Sequence, residues 1–271
     1  MAHPAPSFFR AAAVAAMLAL PAIADDAPFL NTDPASVMGQ GEHAVQQWLN
    51  WAGGHSGERF DGFESLTEFD YGLSDRIQLA ATLTYDWDRT RPLGGPPAYT
   101  SLIGFQGEAI FLLAPTDKSP VGIAIAVDPA FNPDSRGLAV RLLLTKYVWG
   151  LENVLDVNFE NGWDKDAAGL WQESGTVELN YGLGYALDRH WTLALEVGNQ
   201  FRFSRLVTAV QFADAGTTVF LGPTLEYDGG IGTVTAGWQA QLPLASGGDV
   251  AHGYRSDAER WRFGLRYARP I

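Results

Sequence analysis

From residue 42 onward the chain alternates apolar and polar side chains with a period of two. In residues 76–88 (RIQLAATLTYDWD), Ile77, Leu79, Ala81, Leu83, Tyr85 and Trp87 share one parity. Arg76, Gln78, Thr82, Thr84, Asp86 and Asp88 share the other. A helix would mix the two sets, whereas a strand places them on opposite faces. Twelve such segments are predicted, at 42–52, 60–72, 76–88, 99–113, 120–130, 137–148, 152–163, 171–187, 190–203, 216–227, 231–243 and 258–269. Most reach the ~9–11 residues that a tilted strand needs to cross a bilayer. The first has the weakest parity, because Gln46, Gln47 and Asn50 interrupt it.

The connections alternate as well. Turn-forming residues follow the even-numbered segments, at Leu73-Ser74-Asp75, 115–119, Gly150-Leu151, Asp188-Arg189 and Asp228-Gly229-Gly230. This is tight hairpin chemistry. Longer stretches follow the odd-numbered segments, among them 89–98, 204–215 and 244–257. The expected fold is all-β: a 12-stranded antiparallel up-and-down transmembrane β-barrel with short periplasmic turns and longer extracellular loops. An even strand count puts both ends of the barrel on the periplasmic side.

The distribution of charge decides which face meets lipid. The apolar parity is nearly free of charge, Lys146 beside a turn being its one base. The polar parity carries Glu64, Glu68, Asp70, Asp86, Glu108, Asp128, Asp156, Glu160, Glu178, Glu196 and Glu226, with Arg76, Arg141, Arg202, Arg260, Arg262 and Arg266. A soluble sandwich would turn the apolar face inward. Against it, aromatics gather at both ends of the segments: Tyr71, Tyr185, Trp191, Tyr227 and Tyr267 near the short turns, and Trp51, Trp87, Tyr99, Trp163, Trp171, Phe201 and Trp261 near the long loops. Two aromatic girdles mark two water–lipid interfaces. The polar parity is also rich in Gly, Ala, Thr, Asn and Gln, unlike an open solvated face.

Composition narrows the chemistry. The 271 residues contain no cysteine, which excludes disulfides and thiolate sites. The formal charge of −13 argues against a nucleic-acid partner. Residues 1–24 read as a secretory signal peptide, with Arg10, an apolar run from Ala11 to Leu20 and a small-x-small site at Ala22-Ile23-Ala24. Residues 25–41, broken by Pro, Gly and Asn, are a periplasmic tail or a plug folded into the lumen. The barrel takes up 42–271.

Two hairpins share one grammar, Tyr71-Gly72-Leu73-Ser74-Asp75-Arg76-Ile77-Gln78-Leu79 and Tyr181-Gly182-Leu183-Gly184-Tyr185-Ala186-Leu187-Asp188. It resembles that of proteobacterial outer-membrane barrels of undefined function, the transporter set similar to the phenol-degradation meta-pathway barrels. The resemblance covers most of the exported chain. It implies a twelve-stranded channel for small solutes, aromatic or otherwise hydrophobic compounds among them, and transfers no binding residues. Such barrels usually end in an aromatic residue read by the barrel-assembly machinery, whereas this chain ends in Ile271.

The candidate lumen and constriction residues are Glu64, Glu68, Asp70, Glu108, Arg141, Glu178, Glu196, Arg202, Glu226, Arg260, Arg262 and Arg266. On the whole polar parity, acids outnumber bases eleven to six. A wet pore of that sign favours cations and neutral solutes over anions. Arg260, Arg262 and Arg266 predict a basic ladder on one wall, facing Glu68, Glu108, Glu178, Glu196 and Glu226 across a transverse field. Mutual pairing that fills the barrel is the competing expectation. Catalysis has weaker support. His55 and His252 lie near Ser56 and Ser256, and Asp86 and Asp88 near His55, without the spacing of a catalytic set. Asp86-x-Asp88 and Asp164-x-Asp166 lack the turn glycine of a calcium loop. The expected function is passive, weakly cation-favouring diffusion across the Gram-negative outer membrane, with no enzyme activity, cofactor or metal. A plugged adhesin-like barrel and an outer-membrane hydrolase are the rivals. Expected partners are outer-membrane lipid and lipopolysaccharide, the barrel-assembly machinery and the solute.

Overall fold

The computed structural model describes residues 27–54, 59–91, 98–166, 168–203, 216–244, 250–251, 254–255 and 259–271. The expected signal peptide, and His55, Ser56, His252 and Ser256, lie outside them. Among the described residues the strands are β1 (His43–Gly53), β2 (Arg59–Ser74), β3 (Ile77–Arg91), β4 (Ala98–Ala114), β5 (Gly122–Phe131), β6 (Ser135–Val148) and β7 (Leu151–Lys165). They continue with β8 (Trp171–Ala186), β9 (Trp191–Phe203), β10 (Gly216–Gly229), β11 (Gly232–Gln241), β12 (Val250–Ala251), β13 (Tyr254–Arg255) and β14 (Trp261–Pro270). Each barrel strand pairs antiparallel with its sequence neighbour, and β1 closes on β14. β12 and β13 form a separate two-stranded hairpin between β11 and β14, leaving twelve strands in the barrel.

Parity turns out as the alternation requires. Phe69, Leu83, Ile103, Phe105, Leu113, Phe159 and Leu195 are exposed on the outside. Asp70, Thr82, Asp128, Asp156, Glu196, Glu226 and Arg266 are buried inside. A continuous exposed apolar belt around a polar interior suits hydrocarbon outside the barrel and not water. Leu142, mid-strand on β6, tests this directly. Leu142→Arg should destabilise the bilayer-embedded barrel by ~2–4 kcal/mol in urea unfolding; an unchanged midpoint would place that face in water.

Ring pairs stand at both rims. Trp191 meets Tyr227 at 4.6 Å and His43 stacks on Tyr71 at 5.0 Å at the short-turn end. Trp51 meets Phe63 at 5.2 Å, and Trp87 meets Tyr99 at 6.1 Å, at the opposite end. Lys146 is exposed on the outer face near the β6–β7 turn.

Several local details differ from the sequence expectation. The β6–β7 turn is Trp149-Gly150, one residue earlier than predicted. Both residues have positive φ, 54° and 79°, as a two-residue hairpin of this hand demands. Trp149 is 95% exposed at that tip and extends the lower girdle. Arg76 sits in the β2–β3 turn, donating to the Leu113 carbonyl at 3.3 Å, so it is no wall residue. Connection length is only partly sorted. The β5–β6 link spans three residues, 132–134, because Phe131 and Arg136 still pair in the ladder. Asn132 Oδ1 accepts from the Asp134 and Ser135 amides there. In the β7–β8 connection, Asp166 accepts from the Leu170 and Ala168 amides and from Gln172. The Leu170 amide leads in holding its carboxyl below the ordinary range. These oxygens are committed to the loop, not to a cation.

β1 resolves its own ambiguity. Gln46 and Asn50 face inward with Trp48, and Gln47 faces outward. There Gln47 donates to Ser65 Oγ and the Leu66 carbonyl and accepts from Thr67, so its amide reaches the outer face already satisfied.

Candidate functional site in the barrel lumen

Residues 27–41 lie inside the barrel and cross it. At one end Arg266 on β14 donates to the Ala27 carbonyl. Phe29, 1% exposed, packs with Val154 on β7 and Ala194 on β9. Its ring lies against Gly182 and Gly184 on β8, where any side chain at 182 would collide with it. Leu30 fills a second socket between Gly237 on β11 and Gly264 on β14. Glycine in these strands marks a close approach to the wall. Farther on, Ala35 joins Ile110, Leu112, Ala124, Ala126 and Leu143 in a buried apolar patch. The segment leaves along β2, where the Gly41 amide donates to the Gly72 carbonyl at 2.8 Å.

Polar groups of the wall hold the segment's backbone. Glu196 on β9, 1% exposed, accepts from the Leu30 amide at 2.6 Å, the Asn31 amide at 3.2 Å and Asn31 Nδ2 at 2.9 Å. Gln239 on β11 donates to the same carboxylate at 2.9 Å. Thr145 Oγ1 accepts from the Ala35 amide at 2.7 Å, and Gln78 Oε1 from the Met38 amide at 2.9 Å. A lone carboxylate with four N–H donors is well satisfied without a base.

Arg141 on β6 is the electrostatic hub. It pairs with Asp33 of the segment, Glu108 on β4, Asp128 on β5 at 2.8 Å and Asp156 on β7 at 3.4 Å. The expected three-arginine ladder does not form. Arg260 precedes β14 at the rim, its amide donating to the Gly53 carbonyl at 2.8 Å. Arg262 pairs with Glu259 and lies 3.8 Å over the Phe220 ring. Burial acts to raise the Glu259 carboxyl, but the charge and hydrogen bond of Arg262, a backbone hydrogen bond and the Arg202 charge together leave it below its ordinary value. Arg266 pairs with Glu226 at 3.5 Å and lies 5.0 Å over Trp48. The arginines are therefore spent on near partners and on the segment, and the simple opposition of a basic wall and an acidic wall is replaced by local pairing.

The remaining candidates have amide and hydroxyl partners. Glu64 accepts from Asn50 at 2.8 Å. Glu68 accepts from Thr82 at 2.7 Å and Gln46 at 3.3 Å, and Asp70 from Gln46 at 3.0 Å. Glu178 accepts from Gln200, whose oxygen accepts from Arg202 Nε at 3.0 Å. Two larger cavities remain beside the segment. One, of about 380 Å³, lies toward the long-loop end between Glu64, Asp86, Asp88 and Arg262, with Leu30 and Asn31 in its lining. The other, of about 430 Å³, runs along the β1–β7 wall. Of the described histidines, His43 stacks on Tyr71, and His190 Nδ1 lies 2.9 Å from the Asp228 carbonyl, both at the short-turn end.

The fold is that of the Gram-negative outer-membrane barrels. An outer-membrane channel from Pseudomonas putida F1 superposes with a TM-score of 0.64 at 12% identity, over 89% of this chain and all of that one. The beta domain of the Bordetella autotransporter BrkA gives 0.57 at 12% identity, over 86% of this chain and all of the other. The KdgM porin in complex with disordered oligogalacturonate gives 0.51 at 11% identity, covering 83% of this chain and 98% of the porin. No protein-family model and no curated protein matches the chain by sequence. The likeness is one of architecture, shared by channels and by autotransporter domains.

The sequence did not disclose the segment's course. Its signal was present in the exceptions to parity. Ile110, Leu112, Leu143, Val154 and Phe220 are apolar at lumen positions, and each is buried. An apolar patch inside a wet barrel needs a cover, and the segment upstream of β1 supplies Ala27, Phe29, Leu30, Ala35, Val37 and Met38.

Proposed function

We propose that the protein is an outer-membrane channel for passive diffusion of small solutes, weakly favouring cations, with residues 27–41 as a plug that narrows the lumen. The observation that carries this reading is the polar, acid-rich interior of a closed twelve-stranded barrel, with two cavities left beside the segment. The porin and channel likenesses agree with it. The resemblance of the Tyr-Gly-Leu hairpins extends it to small aromatic or hydrophobic compounds. Signal-peptide export and barrel-machinery insertion complete the proposed route.

Glu64 lines both cavities, so it tests selectivity without touching the segment's hydrogen bonds. One charge about 10 Å from a permeating ion in water is worth ~0.4 kcal/mol, about twofold in favour of a cation and about twofold against an anion, so about fourfold in their ratio. Glu64→Gln should lower the cation-to-anion ratio by that amount, read as a reversal potential in a salt gradient across planar bilayers. An unchanged potential removes Glu64 from the permeation path. Silence of the full chain and of a chain lacking the plug would favour the closed, loop-functional barrel instead.

A further inference from the structure

The bilayer-facing side of β1 and β2 carries polar groups where hydrocarbon is expected. Gln47 on β1, and Ser65 and Thr67 on β2, share the outward parity of the exposed Phe69, and all three are partly exposed. Their depth follows from the ring pairs at the rims. On β1, Gln47 lies midway between His43 and Trp51; on β2, Thr67 lies midway between Tyr71 and Phe63. His43 and Tyr71 form a ring pair at one rim, Trp51 and Phe63 at the other. The patch therefore sits near the middle of the bilayer, where neither water nor a lipid headgroup pairs with a polar group. Phe69 and Leu83 stand exposed beside it.

The patch does not close on itself. The Gln47 amide donates to Ser65 Oγ at 3.1 Å and to the Leu66 carbonyl at 2.7 Å, and its Oε1 accepts from the Thr67 hydroxyl at 2.8 Å. Ser65 thus accepts a hydrogen bond, but its own O–H meets no acceptor among the described residues. An amide oxygen takes two bonds, so Gln47 Oε1 has one place left. Each copy of the chain offers a spare donor and a spare acceptor at one depth. A partner for them must be embedded in the membrane and present the same pair at that level. A second copy does both, because a twofold axis along the membrane normal preserves depth. The Ser65 O–H of one copy then meets Oε1 of Gln47 of the partner subunit, and symmetry supplies the reverse bond. Contacts within a membrane are commonly made by small and polar residues, since apolar side chains gain little from leaving lipid.

We infer that the outer face of β1 and β2 is the interface of a homodimer in the outer membrane, with Gln47, Ser65 and Thr67 at its twofold axis. Phe69 and Leu83 supply the apolar surround. Each protomer keeps its own lumen and plug, so the interface stands whether or not the barrel conducts.

The test measures energy transfer between donor- and acceptor-labelled copies of the exported chain in phosphatidylcholine vesicles, titrated over the protein-to-lipid ratio. The label sits on Lys118→Cys, an exposed turn position in a chain with no other cysteine. Transfer should follow a monomer–dimer equilibrium. Ser65→Ala removes both symmetry-related bonds and should raise the dissociation constant about tenfold, the scale of two hydrogen bonds between membrane-embedded segments. Gln47→Leu removes the acceptor and should raise it at least as much; where that variant fails to refold, Ser65→Ala decides. Without the label site, Leu49→Cys, opposite Ser65 in the ladder, should cross-link to a dimer on oxidation in the same vesicles. Leu142→Cys on β6, half-way around the barrel, should not. A chain that stays monomeric in the vesicles or associates only with a different outer-membrane protein would overturn the inference. So would equal cross-linking at the two positions, or an unchanged dissociation constant in Ser65→Ala.

Discussion

A chain lacking residues 25–40 should conduct several-fold more current in planar bilayers than the full exported chain. The segment crosses the lumen from the β8 and β14 side to β2, so its removal joins space that it now divides. Its hold on the wall is substantial. Burying Phe29 contributes roughly 1.5–3 kcal/mol, and the partly buried Leu30 contributes less. Hydrogen bonds to the charged Glu196 add roughly 1.5–3 kcal/mol each, before the entropy of ordering the segment is subtracted. A segment held this firmly stays in place most of the time, which predicts low, steady current from the full chain.

A reversible lock separates a static plug from a mobile one. A Cβ built at Gly122 would lie 3.4 Å from the Ala35 Cβ, within reach of disulfide geometry once Thr116 shifts. The native chain has no cysteine to compete. In the Ala35→Cys, Gly122→Cys double variant, oxidation should abolish any open events and reduction should restore them. Current equal to that of the full chain after deletion of the segment would show that the restriction lies elsewhere.

The barrel was legible because lipid and lumen impose opposite demands on alternate residues. Phe69 and Asp70, or Leu195 and Glu196, are neighbours that cannot exchange faces. Boundaries were less legible. Trp149 adopts positive φ at a turn tip, which its side chain gives no cause to expect. The short β5–β6 link depends on ladder pairing between Phe131 and Arg136. The lumen charges were legible as a set but not in their partners. Parity says that Glu108, Asp128, Arg141 and Asp156 share a face. Only the stagger of β4 to β7 says that they share a height. The plug had no periodicity of its own, and its evidence was distributed among wall residues from Gly72 to Gly264, far from it in sequence.

Arg141→Met should be the most damaging single substitution in the wall. It leaves Glu108, Asp128 and Asp156 close together with no base, and it frees Asp33 of the plug. Removing one partner from a buried ion pair costs about 3–5 kcal/mol in a dry interior. Some water reaches the network here, since the Arg141 side chain is 14% exposed, so the lower end of that range is expected. The loss would appear as a lower urea midpoint with little change in slope. A second consequence follows from Asp33: the plug loses its central anchor while Glu196 still holds Leu30 and Asn31. The variant should therefore show flickering current, where the deletion shows a steady increase. Charge, and not side-chain volume, is the cause in this account. Combining Arg141→Met with Glu108→Gln, Asp128→Asn and Asp156→Asn should recover most of the midpoint, because neutral amides can pair with one another where unpaired carboxylates cannot. If the combined variant is no more stable than Arg141→Met alone, the arginine acts by packing, and its role as the counter-charge of the lumen is wrong.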